Sequence, residues 1–179
     1  MSKNIIAAVR SSEEFMSALA SKAHIIFDLT PSISEISNRA EKAHSNGKKL
    51  FIHLDLAEGI GKDKSAVCYL KELGIDGIIS TRTNIIKYAK EVGLFSVQRF
   101  FIVDTHSIDT ASQSLKASDA DMAEIMPGIV TKAIKEMKKR VSVPLIAGGL
   151  IETAKEVNEV FSSGVYAIST GNHTLWDIE

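Results

Sequence analysis

The sequence has one cysteine, no long apolar run and no excess of one charge, and each shortage excludes a class of protein. A lone Cys68 among 179 residues cannot form an internal disulfide, which is typical of a reducing cytoplasm. No apolar run approaches the roughly 18 residues that a membrane-spanning helix needs, and the N-terminus lacks the apolar core and cleavage site of a signal peptide. We therefore expect a cytoplasmic protein with no membrane partner.

The charge balance and the histidines exclude further classes. Lysine and arginine total 21, aspartate and glutamate total 22, and the net charge is −1, so no global positive field indicates a nucleic-acid partner. The histidines show no metal-ligand spacing, and we expect neither a metal nor a cofactor. Hydrophobic residues at 45% and charged residues at 24% are the composition of a globular protein.

Short apolar segments alternate with amphipathic ones along the whole chain. Eight strand candidates can be read, among them "NIIAAV", "KLFIHLDL" and "PLIAGG", with seven helical patterns between them and a short tail, "TLWDIE". Such alternation predicts a parallel sheet, either an open doubly wound one or a closed barrel. Open sheets usually need about five or six strands, so eight units favour a compact (β/α)8 barrel over residues 1–179, with a short C-terminal eighth helix.

Polar residues are concentrated in one set of loops. The loops that lead into strands are plain connectors in which Gly47, Gly74, Gly93 and Gly164 are expected to end helices. The loops that follow strands hold hydroxyls, acids, an arginine and a histidine, as in "STRTN" and "VDTHS". Because loops after the strands of a barrel meet on one face, this asymmetry predicts a functional site there.

Two of these loops have the composition of an anion site. The seventh strand ends in Gly148 and Gly149, and the eighth ends in a polar run, Ser169, Thr170, Gly171 and Asn172. These loops commonly bind phosphate in barrels, through bare backbone amides and a helix N-terminus. A tight strand-to-helix turn that needs positive φ is the alternative explanation of the glycines.

Further polar residues lie where strands would line the mouth. His53 and Asp55 alternate with Phe51 and are predicted to point into the barrel, where the pair could serve acid–base chemistry, a metal or a polyol, or simply satisfy each other. Of Gln98 and Arg99, only one can face inward. Glu124 lies in the middle of a strand and needs a partner, either Arg99 on the neighbouring strand or a ligand hydroxyl.

The sixth helical pattern carries a basic run. It comprises Lys132, Lys135, Lys138, Lys139 and Arg140. A solvated helix face is one interpretation, and a docking patch for RNA phosphates, above all through Lys132, Lys135 and Lys139, is the other. The chain has no recognisable RNA-binding module.

The motifs together resemble those of a known family. "HLDLAEG", "DGIISTRTNIIKYAK", "GLFSVQRFFIVD", "AEIMPGI", "PLIAGGLIET" and "ISTGNHTLW" occur in the order found in the glycerol-3-phosphate-responsive antiterminator family, from about Leu50 to Trp176. The sequence departs from that pattern in "VDTHS", where Asp-Ser is usual, and at Gly171, where Ser-Asn is usual.

The resemblance implies a barrel that binds glycerol 3-phosphate and regulates transcription of glycerol genes through leader mRNA. Gly148, Gly149, Ser169, Thr170, Gly171 and Asn172 would then hold phosphate, and His53, Asp55, Gln98, Arg99 and Glu124 would face the glycerol end. An enzyme acting on a glycerophosphodiester or sugar phosphate is the alternative, and a protein-interaction scaffold is a third reading. The sequence leaves the oligomeric state open, a homo-oligomer included.

Overall fold

The computed structural model describes residues 3–178. Eight parallel strands form a closed barrel in which each strand pairs with its neighbours in chain order and β8 pairs with β1. The strands are β1 (Ile5–Val9), β2 (Ile25–Asp28), β3 (Lys49–His53), β4 (Gly77–Ser80), β5 (Phe95–Phe101), β6 (Met122–Met126), β7 (Leu145–Gly148) and β8 (Ala167–Thr170). The prediction of a (β/α)8 barrel is confirmed.

Seven α-helices lie in the connections between successive strands. They are α1 (Ser12–Ala20), α2 (Ile33–Ser45), α3 (Lys64–Glu72), α4 (Thr83–Glu91), α5 (Thr105–Ser118), α6 (Thr131–Lys138) and α7 (Ala154–Phe161). Short 3₁₀ turns follow β3 at Leu54–Leu56 and β8 at His173–Leu175. The second turn stands where an eighth helix would begin, as the short tail predicted.

Local sequence signals set the ends of several helices. Side chains before α1, α3, α5 and α7 accept a hydrogen bond from the amide three residues later, namely Ser11, Asp63, Asp104 and Thr153. The glycines that were expected to end helices have φ between 69° and 90°, a region that other residues avoid, namely Gly47, Gly74, Gly93 and Gly164. These turns place the polar loops at the opposite end of the barrel.

Two apolar clusters form the core. The larger lies between the outer faces of the strands and the helices, and the smaller fills the barrel interior with side chains such as Phe27, Phe51, Val97 and Ile146. The rings of Phe27 and Phe51 stack with centroids 5.6 Å apart. Because these side chains fill the N-terminal half of the interior, polar groups and open space are left at the C-terminal ends of the strands.

The C-terminal tail is held against the end of β8. Trp176 is 2% exposed, and its indole Nε1 donates a hydrogen bond to the Thr170 carbonyl at 2.7 Å. Among residues 3–178 the longest helix, α5, has 14 residues, and no helix of that range is both long and apolar enough to cross a bilayer.

Candidate ligand-binding site at the mouth of the barrel

A cavity of about 670 Å³ opens at the C-terminal ends of the strands, on the side of β1, β5, β6, β7 and β8. This volume is in the usual range of small-molecule sites. Its floor is polar, one wall is apolar, and the other wall consists of the loops after β1, β7 and β8. The lining includes Arg10, Arg99, Phe101, Glu124, Met126, Gly149, Leu150, Ser169, Thr170, Gly171 and Asn172.

A buried ion pair forms the floor. Arg99 on β5 donates a hydrogen bond from Nε to Oε2 of Glu124 on β6 at 2.5 Å, and the two side chains are 6% and 0% exposed. Oε1 of Glu124 accepts a hydrogen bond from the Ser169 hydroxyl at 2.5 Å. Of the two partners considered for Glu124, a ligand hydroxyl and Arg99 on the neighbouring strand, the structure shows Arg99, and Ser169 serves this carboxylate in addition.

The prediction that Gln98 faces the cavity is wrong. Side chains alternate along β5, and Val97 points into the barrel, so Arg99 points inward as well. Gln98 therefore faces outward, into the layer between the barrel and α5. There its amide donates to Ser114 at 3.0 Å and accepts from Ser118 at 2.5 Å. Gln98 therefore fixes α5 on the barrel and does not line the cavity.

The prediction that Asp55 points into the barrel beside His53 is also wrong. Strand β3 ends at His53, and the 3₁₀ turn redirects Asp55 toward the loop after β4. There the Asp55 carboxylate accepts hydrogen bonds from the Ser80 hydroxyl at 2.6 Å and from the amide and hydroxyl of Thr81 at 2.7 and 2.8 Å. Burial acts to raise the pKa of Asp55, but these hydrogen bonds outweigh it and leave the pKa below its usual value.

His53 points into the barrel as predicted but lies beside the cavity, outside its lining. Both ring nitrogens are buried and have no hydrogen-bond partner among the described residues, and Nε2 is 3.9 Å from Asp55. Burial, followed by the positive charge of Arg99, lowers the pKa of His53 to about 4. The ring is therefore neutral at pH 7, and its contact with Asp55 is not an ion pair.

The two glycines after β7 have different roles. Gly148 lies behind the floor, where an added Cβ would be 2.5 Å from Oε1 of Glu124 and 2.6 Å from the Ser169 hydroxyl. It makes room for the buried carboxylate and does not line the cavity. Gly149 does line it and has φ of +81°, which explains a glycine there independently of any ligand.

The side chains of Thr170 and Asn172 hold the loop after β8 in place. The Thr170 hydroxyl donates to the Ile151 carbonyl at 3.0 Å, and the Asn172 amide donates to the Glu152 carbonyl at 2.8 Å. These bonds join the two loops that the sequence predicted as one site. What remains toward the cavity is bare backbone, since the amides of Gly149 and Gly171 donate no hydrogen bond within residues 3–178.

The N-terminus of α7 is not free for an anion, although a helix N-terminus was expected to help bind phosphate. Thr153 and Glu156 form a reciprocal capping box, and the Glu156 carboxylate accepts from the amides of Glu152 and Thr153 at 2.9 Å each. These two backbone hydrogen bonds lower the pKa of Glu156. The helix supplies its own negative group, so any anion in the cavity must rely on other donors.

Arg10 provides a donor that sequence reasoning missed. It follows β1, lines the cavity and forms no ion pair within residues 3–178. An added Cβ at Gly171 would lie 3.9 Å from its Nη1, which places the guanidinium beside the loop after β8. The sequence did hold a signal, because β1 and β8 are neighbours in a closed barrel and their loops must meet.

Acidic groups also line the cavity. Glu14 accepts the backbone amide of Arg10 at 2.5 Å, Glu152 lies exposed on the rim, and Glu124 is paired with Arg99. Two arginines thus face three glutamates. Because the lining has no excess of positive charge, it suits a ligand with one anionic group better than a ligand with two.

The basic run at α6 is only partly neutralised by ion pairs. Lys139 pairs with Glu136 at 2.6 Å, Arg140 pairs with Asp109 at 3.0 Å, and the Lys138 ammonium donates to the Gly164 carbonyl. Lys132 and Lys135 are exposed and form no ion pair within the described residues. Within those residues no cluster of three or more histidine, cysteine, aspartate or glutamate side chains could hold a metal ion.

The closed parallel barrel and the polar cavity at its strand ends define a (β/α)8 barrel protein with a candidate site at the C-terminal ends of its strands. The profile of the family described as "Glycerol-3-phosphate responsive antiterminator" matches residues 5–176, and the chain belongs to this family. The protein YgcP of Escherichia coli (strain K12), whose name describes it as uncharacterized, is 35% identical over 175 residues that cover 97% of this chain and 92% of YgcP.

Solved structures agree with this assignment. The glycerol uptake operon antiterminator regulatory protein of Listeria monocytogenes has a TM-score of 0.92 at 32% identity, over 98% of this chain and 96% of that one. A glycerol uptake operon antiterminator-related protein from Thermotoga maritima has a TM-score of 0.87 at 29% identity, over 98% and 99%. The aldolase QR15 has a TM-score of 0.76 at 10% identity over 95% and 90%, which shows a shared fold alone.

Proposed function

We propose that this protein is a glycerol-3-phosphate-responsive antiterminator that regulates glycerol uptake and metabolism genes through leader mRNA. In this proposal the barrel binds its ligand without turning it over. The proposed ligand site rests chiefly on Arg10, whose guanidinium forms no ion pair within residues 3–178 and lies beside loops whose Gly149 and Gly171 amides donate no hydrogen bond in that range. Membership of the family supports the regulatory role.

The phosphate group is assigned to the wall formed by the loops after β1, β7 and β8. Arg10 supplies a full positive charge and a planar fork of donors that fits phosphate oxygens. Gly149 and Gly171 supply backbone amides that no side chain obstructs. Thr170 and Asn172 contribute by holding the loops in register, and Gly148 contributes by making room for Glu124.

The glycerol end is assigned to the floor. A ligand whose phosphate contacts Arg10 extends across the cavity toward Arg99 and Glu124, which line the same space. Ligand binding changes RNA recognition only if the two RNA-binding states differ in their affinity for the ligand. The loops that contact the ligand lie at the surface, where such a difference can reach a partner.

Isothermal titration calorimetry of Arg10→Ala with glycerol 3-phosphate tests the site. A charge-assisted hydrogen bond contributes about 1.5–3 kcal/mol, so we expect the variant to bind about 10-fold to 100-fold more weakly than the native chain. Inorganic phosphate should lose affinity in parallel, because Arg10 is assigned to the phosphate alone.

Arg82→Ala is the matched control. Arg82 follows β4 on the same face of the barrel, is half exposed, and lies outside the cavity lining. Its removal should leave both dissociation constants within about twofold. Equal losses in the two variants would mean that a general positive field, and not the proposed wall, attracts the ligand; no binding to the native chain would refute the ligand assignment.

A further inference from the structure

The N-terminal end of the barrel, opposite the mouth, has an apolar opening of its own. A pit of about 250 Å³ at this end is lined by side chains of the barrel interior, among them Phe27 and Phe51. Phe95 and Tyr166 line the same pit and are 38% and 50% exposed. Large apolar side chains that stay in water around an apolar opening mark a surface that gains free energy when a partner covers it.

A groove continues this surface toward the C-terminal tail. It has a volume of about 610 Å³, shares Ile6, Ile25 and Tyr166 with the pit, and is also lined by Trp176. Together the pit and the groove form one apolar surface around Ile6, Ile25, Phe95 and Tyr166, the N-terminal face.

Charges of opposite sign lie on different sides of the N-terminal face. The residues that lead into or begin β1, β2 and β3 include the lysines Lys3, Lys22 and Lys49, and those that lead into β4 and β6 include the aspartates Asp76, Asp119 and Asp121. Lys49 is exposed and forms no ion pair within residues 3–178, and the Asp119 side chain is 90% exposed. A partner of one charge sign, such as RNA or an anionic membrane, would be repelled by the acidic side.

Such a face is complementary to a second copy of itself. When two barrels stack end to end about a twofold axis perpendicular to the barrel axis, the strands of the two protomers follow in opposite senses. If β3 lies over β4 of the partner, β2 lies over β5 and β1 lies over β6. Lys49 would then meet the partner's Asp76, and Ile25 would meet the partner's Phe95. Each contact would occur twice, because the same patch is used by both protomers.

We propose that the N-terminal face is the interface of a homodimer in which two barrels stack end to end. The dimer covers the apolar pit of both protomers and pairs the basic side of each face with the acidic side of the other. Both mouths point outward and stay open to ligand. The inference goes beyond the proposed function, because no residue that lines the cavity at the mouth also lines the pit or the groove.

Sedimentation equilibrium of the full chain tests the interface. The native chain should be a dimer at micromolar concentration. Tyr166→Glu places a charge within the apolar surface and should raise the dimer dissociation constant at least about 10-fold, because that charge would have to be buried without a partner. Tyr69→Glu is the matched control, since Tyr69 on α3 is 42% exposed and lines neither the pit nor the groove. It should leave the dissociation constant within about twofold of the native value.

Charge reversal tests which strands face each other. Lys49→Glu and Asp76→Lys should each weaken self-association at least about 10-fold, because each places like charges opposite one another. An equimolar mixture of the two variants should form a heterodimer within about threefold of the native affinity, because opposite charges then meet at both contacts.

The outcomes are independent of any ligand, so they are distinct from a failure of the proposed function. A native chain that stays monomeric at about 100 µM would overturn the homodimer, whatever else fills the pit. A dimer that Tyr166→Glu weakens no more than Tyr69→Glu does would place the contact on another surface. Folded charge-reversal variants that do not associate when mixed would overturn the end-to-end arrangement. Asp76 also accepts the Leu50 amide, so Asp76→Lys could fail to fold, but the comparison of the two tyrosine variants decides the question without it.

Discussion

At the residue scale, His53 is the least satisfied polar group in the barrel interior. Within residues 3–178 neither ring nitrogen has a hydrogen-bond partner, and the pKa of His53 is about 4 in the folded chain against 6.5 for an unperturbed histidine. Between these two values the unfolded chain binds a proton at this position and the folded chain does not. Acidification through this window therefore favours unfolding.

The effect of His53 can be measured by urea unfolding at pH 7 and pH 5. Linkage predicts that this one residue makes the native chain about 2 kcal/mol less stable at pH 5 than at pH 7. His53→Leu removes the titrating group and should reduce the loss of stability over that interval by about this amount. If the variant and the native chain lose the same stability, His53 does not titrate as its burial indicates.

At the position of Gly148, a side chain of any size is expected to destabilise the fold. In Gly148→Ala the new methyl group would overlap the Glu124 carboxylate and the Ser169 hydroxyl, so we expect a loss of about 1–3 kcal/mol in the free energy of unfolding. Guanidinium unfolding without ligand measures it.

Gly171→Ala is the comparison for that experiment. An added Cβ there would meet its nearest atom, the Ala8 carbonyl oxygen, at an ordinary 3.6 Å. Its unfolding free energy should stay within about 0.5 kcal/mol of the native value. Equal destabilisation of both variants would show that the crowded floor is not the cause.

At the scale of elements, α6 carries the basic run that the sequence offers as a docking patch for RNA phosphates, with a solvated helix face as the alternative. Within the described residues Lys132 and Lys135 are exposed and form no ion pair, whereas Lys139 is paired with Glu136. The double substitution Lys132→Gln and Lys135→Gln should weaken binding to the leader RNA and reduce the slope of log affinity against log salt by about 1.4, two phosphate contacts at roughly 0.7 each for single-stranded RNA.

Filter binding at several salt concentrations measures that slope. Lys87→Gln together with Lys155→Gln removes two exposed lysines from other helices, α4 and α7, and should leave the slope unchanged. Terminator read-through in a transcription assay should follow RNA affinity across these variants. An unchanged slope in the α6 variant would place the RNA surface elsewhere.

The alternation of side chains along β5 predicts its orientation only in part. The alternation of β5 established that only one of Gln98 and Arg99 faces inward, but the pattern "FSVQRFFIV" has apolar residues on both faces. Both faces are buried, one by the barrel interior and one by α5, so hydrophobicity could not choose between them. The choice depends on packing against the neighbouring strands.

At the scale of the whole molecule, one fold serves a regulator family and an enzyme. The aldolase QR15 shares the barrel at 10% identity. The fold therefore does not distinguish binding from catalysis, and function must be argued from the site. Here the candidate site consists of the loop wall that we propose for phosphate, a polar floor and a cavity with a near balance of charge.

The sequence by itself determined the architecture of this protein and the end at which its site lies. Eight apolar segments, seven amphipathic helices, helix-ending glycines and one-sided polar loops are local signals, and each was correct because short-range periodicity and turn chemistry reflect burial directly. That Glu124 needs a partner could also be predicted, because a carboxylate in the middle of a strand cannot be left unpaired; the structure then decided that Arg99 and Ser169 are the partners.

Only the tertiary structure decided which polar groups share the cavity. Asp55 turned away because β3 ends two residues earlier, Gln98 faced α5, and Glu156 occupied the helix N-terminus that was expected to attract phosphate. Arg10 entered the site because barrel closure brings the first loop beside the last. The positions of Asp55, Gln98 and Arg10 depend on contacts between residues distant in the chain, which no local pattern of side chains encodes. The Glu156 cap is different, because it is a local Thr-x-x-Glu capping box that the sequence already contains.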